Sequence, residues 1–202
     1  MSQSSLYVAF GLFLMVASWY VIPMRWMRLL SFLSRAVTGF RSRNTVVDGV
    51  KWHYLEGGHG PTLVILHNIA GEADHWLGVA GPLRREFHVL VPDLPGFGES
   101  QKPEGLSFRI EDQSRRLEAF LDHLAIGSVI LVGNAQGACI AADFAARNPE
   151  RVRALWMQGA LGVAEGAHSD IMEEYLNGGD TPPVVVNKMR DYVGLVDLLF
   201  YK

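Results

Sequence analysis

Three short segments of this sequence combine turn-forming residues with groups that could take part in chemistry. Gly133-Asn134-Ala135-Gln136-Gly137 follows the apolar run Ser128–Val132 and precedes a run of small residues, which predicts a sharp turn from a strand into a helix. The free N–H groups at the start of such a helix favour a developing negative charge. His67-Asn68-Ile69-Ala70-Gly71 and Asp93-Leu94-Pro95-Gly96-Phe97-Gly98-Glu99-Ser100 each follow another apolar run. Each segment therefore begins where a predicted strand ends.

In this order and local context, the three segments together resemble the α/β-hydrolase family, over roughly residues 44 to 160. The first stands where that family carries its G-x-S-x-G nucleophile elbow, and the second where it carries His-Gly and the oxyanion loop. The resemblance implies an α/β fold with a mostly parallel sheet and flanking helices. It also implies that the backbone N–H groups of Ile69 and Gln136 are the oxyanion donors. The N-terminus, described below, resembles that of membrane-tethered lipases of the monoacylglycerol-lipase type.

The elbow departs from the family pattern at its central residue, where Ala135 occupies the nucleophile position. A methyl group has no proton to give up and no lone pair with which to attack, so the acyl-enzyme route is closed. Gly133 and Gly137 are expected to let strand and helix approach closely around a strained residue 135. Asn68 replaces the usual glycine beside the oxyanion loop, which adds bulk at a tight backbone approach.

A second departure concerns the acid and the histidine, which the family carries after the strand predicted at Val152–Met157. Only Gln158 to Lys202 follows that strand, and the pattern there predicts a helical cap, while His168 comes too early and in a loop-like run. We therefore expect nucleophile, acid and base all to be absent, and the fold to be incomplete at its C-terminal end. The last strand would then present an apolar, unpaired edge. The cap could cover that edge, a partner chain could complete the sheet, or a longer reading frame could have been truncated.

The other predicted elements are those that position the three loops. Asp48-Gly49 predicts a hairpin between two alternating runs. Continuous apolar runs predict buried strands at Thr62–His67 and Phe87–Val91. A helix is expected from about Asp74 to Arg85, with Val79 on its apolar side, and Ser107 is a candidate N-cap of a further helix.

The N-terminus predicts a membrane anchor. Residues Leu6–Met24 carry no charge, and about 20 apolar residues cross a bilayer as a helix. Arginines follow this run and no Lys or Arg precedes it, which predicts a single-pass anchor with the following domain on the cytoplasmic side. The stretch Met24–Phe40 mixes Arg with large apolar residues, so it is either an amphipathic helix on the membrane surface or a plain helical linker.

Composition limits the remaining function classes. The chain is 49% hydrophobic and 19% charged, which is typical of a folded domain, and its formal net charge of -3 gives no basic field for nucleic acid. The single cysteine, Cys139, forms no disulfide within the chain and is expected to be a small packed residue. His67 and Asp93 are expected to have structural roles. No His or Cys cluster has metal-ligand spacing, so neither a metal nor another cofactor is expected.

These observations predict an anchor and basic segment at residues 1–43, an α/β-hydrolase core at 44–160 and a helical cap at 161–202. The first functional hypothesis is a lipase or esterase lineage acting on acyl esters near the bilayer, inactive as given because its catalytic groups are missing. The second is a non-catalytic membrane protein whose pocket holds a lipid, an acyl ester or a partner chain. The third is a degenerate fragment without a settled function.

Overall fold

The computed structural model describes residues 7, 18 and 21–160, without the side chains of residues 23 and 24. The predicted cap at 161–202, and most of the predicted anchor Leu6–Met24, lie outside these residues. Within them, no helix combines the length and the apolar character needed to cross a bilayer. The anchor and the cap stay predictions.

The described chain alternates strands and helices after an initial helix. In chain order these elements are α1 (Pro23–Thr38), β1 (Arg41–Val47), β2 (Val50–Gly58), β3 (Thr62–Leu66), α2 (Leu77–Leu83), β4 (His88–Pro92), α3 (Ile110–His123), β5 (Val129–Asn134), α4 (Gln136–Arg147) and β6 (Val152–Gln158). Two short 3₁₀ turns, Ala73–Trp76 and Pro149–Arg151, precede α2 and β6.

The strands form one six-stranded sheet in the order β1-β2-β4-β3-β5-β6. The sheet is mixed, since β2 pairs antiparallel with both β1 and β4, whereas β3 is parallel to β4 and β5, and β5 is parallel to β6. The sequence-based expectation of a mostly parallel sheet therefore holds for β3 to β6 only. The antiparallel pairing of β1 with β2 follows from the hairpin at Asp48-Gly49, where both residues have positive φ (49° and 77°), because a two-residue turn can join only antiparallel strands.

The sheet is covered on both faces, which explains why its central strands are apolar without interruption. On one face α3 and α4 pack over the sheet, and the ring of Trp52 stacks on Phe120 with centroids 4.6 Å apart. On the other face Ala73, Leu77 and Ala80 cover the alternate residues of the same strands. The predicted buried strands are thus confirmed, and they hold the loops at their carboxyl ends in place.

Two local expectations were wrong. Ser107 is not an N-cap, because α3 begins at Ile110 and the Ser107 hydroxyl donates to the side chain of Asp112 at 2.5 Å instead. Val79 does not join the core, because the helix there is short and turns this side chain outward, where it is half exposed.

The last described strand forms one edge of the sheet, with β5 as its single neighbour among the described residues. Leu155, Trp156 and Met157 on this strand are exposed. The apolar edge predicted from the sequence is therefore present in the described part of the chain. Its cover, by the cap or by a partner chain, stays a prediction.

Candidate functional site

Ala135 lies at the apex of the sharp bend between β5 and α4. Its backbone has φ 47° and ψ −110°, a region that residues with a side chain rarely occupy. The Ala135 N–H donates to the carbonyl of Gln158 in β6 at 2.9 Å, and its carbonyl accepts the N–H groups of Ala138 and Cys139. The predicted strand-to-helix turn is present, and its strained conformation is held from both sides.

The glycines on either side of this bend are required by close backbone packing. A Cβ on Gly137 would lie 2.6 Å from the carbonyl oxygens of Leu66 and His67, at the end of β3. A Cβ on Gly133 would lie 2.5 Å from the Cα of Ala138 in α4. The close approach expected from the sequence is therefore confirmed, and it brings the end of β3 against the start of α4.

The segment after β3 forms a loop beside the elbow. Its turn is closed by a hydrogen bond from Gly71 N–H to Asn68 O at 3.0 Å, and Ala70 adopts a left-handed φ of 58°. The Asn68 side-chain oxygen fills the space beside Gly71, where a Cβ would collide with it. Neither the N–H of Ile69 nor that of Gln136 donates a hydrogen bond to any residue that the structure describes. Their assignment as oxyanion donors stays a prediction.

A cavity of about 250 Å³ lies beside the elbow. Its walls combine the apolar side chains of Trp76 and Val79 with polar groups from the loop and the elbow, namely His67, Asn68, His75 and Asn134. Such a mixture suits a ligand with an apolar body and a polar end.

His67 is buried and serves to hold two loops together. Its Nε2 accepts the backbone N–H of Leu94 at 3.0 Å, so Nδ1 carries the proton and donates to the Asn68 carbonyl at 2.7 Å. Burial lowers the pKa of His67 below its usual value, with smaller opposing effects from the Asn68 carbonyl and Asp93. A neutral imidazole with both nitrogens engaged has a structural role, as the sequence predicted.

Asp93 is a buried carboxylate that binds backbone N–H groups of the loops after β3 and β4. Its two side-chain oxygens accept the N–H of Ala73 at 2.6 Å, the N–H of Glu99 at 2.9 Å and the Nδ1 of His53 at 2.7 Å. Burial would raise the pKa of this carboxyl, but the hydrogen bonds from His53, Glu99 and Ala73 outweigh burial and lower it. Its expected role as an acceptor of backbone N–H groups is confirmed.

The pairing of Asp93 with His53 was not foreseen. His53 lies in β2 and is fully buried, and its Nε2 is 2.8 Å from the Ser42 hydroxyl in β1. In the sequence it is one polar residue in an alternating strand, and nothing in that pattern identifies its partner.

Arg35 of α1 joins the N-terminal helix to these loops. Its Nε and one Nη contact the two carboxylate oxygens of Asp74 at 2.7 and 2.9 Å, and the same Nη contacts Glu99 at 2.6 Å. Asp93 accepts hydrogen bonds from Ala73, which precedes Asp74, and from Glu99. Arg35 and Asp93 therefore contact the same two segments of the chain. The sequence identified Arg35 only as part of a basic run, and this role was missed.

A larger cleft, of about 760 Å³, lies between α1 and the loops that Arg35 joins. It is lined on the helix side by Arg28, Ser31 and Phe32, and on the loop side by Glu72 and Lys102, among others. In the part of the chain that the structure describes, no cluster of three or more His, Cys, Asp or Glu side chains has the arrangement of a metal site.

Comparison with known proteins agrees with this geometry. A family model described as alpha/beta hydrolase fold matches residues 61–184. The chain is 31% identical over 163 residues to Lipase 1 of Psychrobacter immobilis, covering 78% of this chain and 50% of that lipase. It is 28% identical to Lipase 3 of Moraxella sp. (strain TA144) over 163 residues, with the same coverage of 78% and 50%.

Among solved structures, the chain is similar to the crystal structure of a membrane phospholipase A described as a novel bacterial virulence factor. The TM-score is 0.82 and the identity 32%, and the match covers 98% of this chain and 64% of that one. The chain spans about half the length of the curated relatives it matches, since 50% of each lipase is covered.

Proposed function

We propose that this chain, which belongs to the α/β-hydrolase fold family and is lipase-like by homology, is a membrane-anchored relative of lipases and esterases that does not hydrolyse acyl esters through the family's nucleophilic route. The observation that carries the proposal is Ala135, which has the strained backbone of an elbow residue (φ 47°, ψ −110°) and a methyl side chain. The backbone that would aim an attacking oxygen is retained, whereas the oxygen is not.

The expected loss of rate is large. Removing the serine of such a triad costs about a million-fold in turnover, and the oxyanion hole and binding alone leave about a thousand-fold over water. The chain with Ala135 should therefore hydrolyse esters about a million-fold more slowly than a relative whose nucleophile is present.

The test compares the wild-type chain with Ala135→Ser on short and long p-nitrophenyl esters. We expect no more than this residual turnover by the wild type and a higher rate for Ala135→Ser, because the added hydroxyl supplies a nucleophile at the elbow. Wild-type turnover comparable to that of an active lipase, surviving repeated purification, would refute the central claim. A rate for Ala135→Ser that does not exceed the wild-type rate would count against residue 135 as the nucleophile position.

The second candidate function is non-catalytic binding of an acyl ester or a fatty acid, and a specific observation favours it. The N–H groups of Ile69 and Gln136 have no acceptor among the described residues, and a cavity with an apolar wall is lined by Asn68 and Asn134, which are close to them in the chain. A carboxylate or an ester carbonyl could accept from both N–H groups, while the acyl chain contacts Trp76 and Val79. Binding of this kind needs no group at residue 135.

Binding can be tested with two matched valines. Val79 lines the cavity and is 50% exposed, whereas Val46 is 59% exposed on β1, away from it. In calorimetric titrations with medium-chain fatty acids, Val79→Phe should weaken binding by about tenfold or more, since it fills the cavity with a larger side chain. Val46→Phe should bind as the wild type does. Equal affinities in all three proteins would place the ligand elsewhere.

Placement at a membrane is part of the proposal and is supported by the uncharged run Leu6–Met24 and by the similarity to a membrane phospholipase A. The proposed arrangement is a single-pass anchor with the core on the cytoplasmic side, as in lipases of the monoacylglycerol-lipase type. Carbonate extraction of membranes, followed by protease treatment of sealed vesicles, tests both points. Release of the chain by carbonate would contradict the anchor, and cleavage of the core from outside intact cells would contradict its side.

A further inference from the structure

The polar and apolar sides of α1 are reversed relative to those of an ordinary surface helix. Arg28, Ser31, Arg35 and Thr38 recur at intervals of three and four residues, so they share one side of the helix. Arg35 on this side is bonded to Asp74 and Glu99, and Arg28 and Ser31 line the cleft next to it. The polar stripe of α1 therefore faces the rest of the protein.

The opposite side of α1 consists of large apolar residues that face outward. Leu29, Leu30, Leu33 and Val37 are exposed by 44%, 47%, 47% and 85%. A helix at a water-facing surface normally turns its apolar stripe toward the core. This contiguous row is therefore an apolar surface that stays about half exposed or more, and such surfaces mark contacts with membranes or partners.

Rotation of the helix cannot bury this surface without breaking strong contacts. The guanidinium of Arg35 is only 15% exposed and makes a two-point contact with Asp74, at 2.7 and 2.9 Å. Paired geometry of this kind fixes orientation as well as distance. The outward direction of the leucines is thus set by the same residue that holds the helix in place.

The charge around this surface selects its partner. Residues 21–47 contain five arginines and no acidic residue. Arg25 and Arg41 are exposed near the two ends of α1. Two copies of this segment placed face to face would bring like charges together, whereas anionic phospholipid head groups would be attracted.

We propose that α1 lies flat in the interface of an anionic lipid leaflet, with Leu29, Leu30, Leu33 and Val37 among the acyl chains and with Arg25 and Arg41 at the phosphates. A helix in this position binds through its buried apolar area and through its cationic flanks. The 16-residue helix is too short to span, in agreement with its lying along the surface. Since Arg35 joins α1 to the loop that holds Asp74, the leaflet also sets the orientation of the elbow relative to the lipid. The inference does not depend on whether the elbow binds or hydrolyses acyl groups.

Spin labels on the full chain test the proposal directly. With Cys139 replaced by alanine, a single cysteine is introduced by Leu33→Cys on the outward side of α1, or by Val46→Cys on β1 as the matched control. Each labelled chain is reconstituted in vesicles of three parts phosphatidylcholine to one part phosphatidylglycerol. Collision with oxygen, which concentrates in lipid, is compared with collision with a water-soluble nickel chelate.

We expect oxygen collisions to exceed nickel collisions at residue 33 and the reverse at residue 46. A nickel-accessible label at residue 33 would overturn the proposal even if the predicted anchor holds the chain in the vesicle. A label at residue 33 that is shielded from both reagents and broadened by a second label would overturn it in favour of a second copy of the chain. Because no catalytic quantity is measured, these outcomes are independent of the proposed function.

Discussion

The guanidinium of Arg35 and the carboxylate of Asp74 meet through two parallel hydrogen bonds, 39 positions apart in the sequence. Asp74 adjoins Ala73, whose N–H is held by Asp93, so this contact joins the N-terminal helix to the loop beside the elbow. The same guanidinium reaches Glu99, whose N–H is also held by Asp93. One arginine thus connects α1 to both segments that Asp93 organises.

Loss of this connection should destabilise the protein. We expect Arg35→Gln to lower the free energy of unfolding by about 2–3 kcal/mol, because it leaves the largely buried carboxylate of Asp74 without its counter-charge. Arg35→Lys should recover only part of the loss, since an ammonium cannot make the two-point contact. Urea denaturation measures both. Arg109→Gln is the control, because Arg109 is 78% exposed and 3.6 Å from Glu111, and it should change the stability by less than about 0.5 kcal/mol.

The backbone at residue 135 predicts an unusual response to glycine. Ala135→Gly should raise the free energy of unfolding by up to about 1 kcal/mol, because glycine occupies a positive φ without steric cost. Ala146→Gly, at an exposed position inside α4, should lower it by about 1 kcal/mol through the usual helix penalty. Thermal or urea unfolding of the two variants gives the comparison. A loss of stability in both would show that residue 135 carries no strain.

The contact between β3 and α4 predicts the opposite response to alanine. Gly137→Ala should destabilise by about 2–4 kcal/mol or prevent folding, because its Cβ would lie 2.6 Å from the Leu66 and His67 carbonyl oxygens. Gly78→Ala is the matched control, since nothing lies within 4 Å of the added Cβ and residue 78 is helical. It should gain about 0.5–1 kcal/mol. A tolerated Gly137→Ala would contradict the packing at the elbow.

His67 predicts a loss of stability as the pH falls below its ordinary pKa of 6.5. Its folded-state pKa is lowered, so the unfolded chain takes up a proton at a higher pH than the folded chain does. The neutral imidazole of His67 therefore contributes fully to the folding stability above about pH 6.5. As the pH falls from there toward the folded-state pKa, this contribution is lost by at most about 1.4 kcal/mol per pH unit. The stability difference between the wild type and His67→Gln, followed by urea denaturation from pH 7 to pH 5, should therefore shrink. A constant difference would rule this contribution out.

Local sequence patterns were sufficient to predict the central strands, the hairpin and the position of the elbow in the chain. The hairpin at Asp48-Gly49 and the central strands depend on turn chemistry and on continuous apolar runs, which act over a few residues. The glycines at 133 and 137 mark a close approach that their spacing already indicated. The antiparallel strands of the mixed sheet were missed because strand order and direction depend on how distant segments assemble. The hydrophobic periodicity of a single segment carries no information about its distant partners.

The sequence by itself determined the α/β fold, the turn at residue 135 and the absence of a nucleophile there, since each follows from residue types within a short window. Only the tertiary structure decided that His53 pairs with Asp93, that Arg35 pairs with Asp74, and that α1 turns its leucines outward. Helical periodicity separates a polar side from an apolar one, but it does not say which of them faces the protein. Here the polar side faces inward because its arginine finds two carboxylates that distant parts of the chain bring within hydrogen-bonding distance.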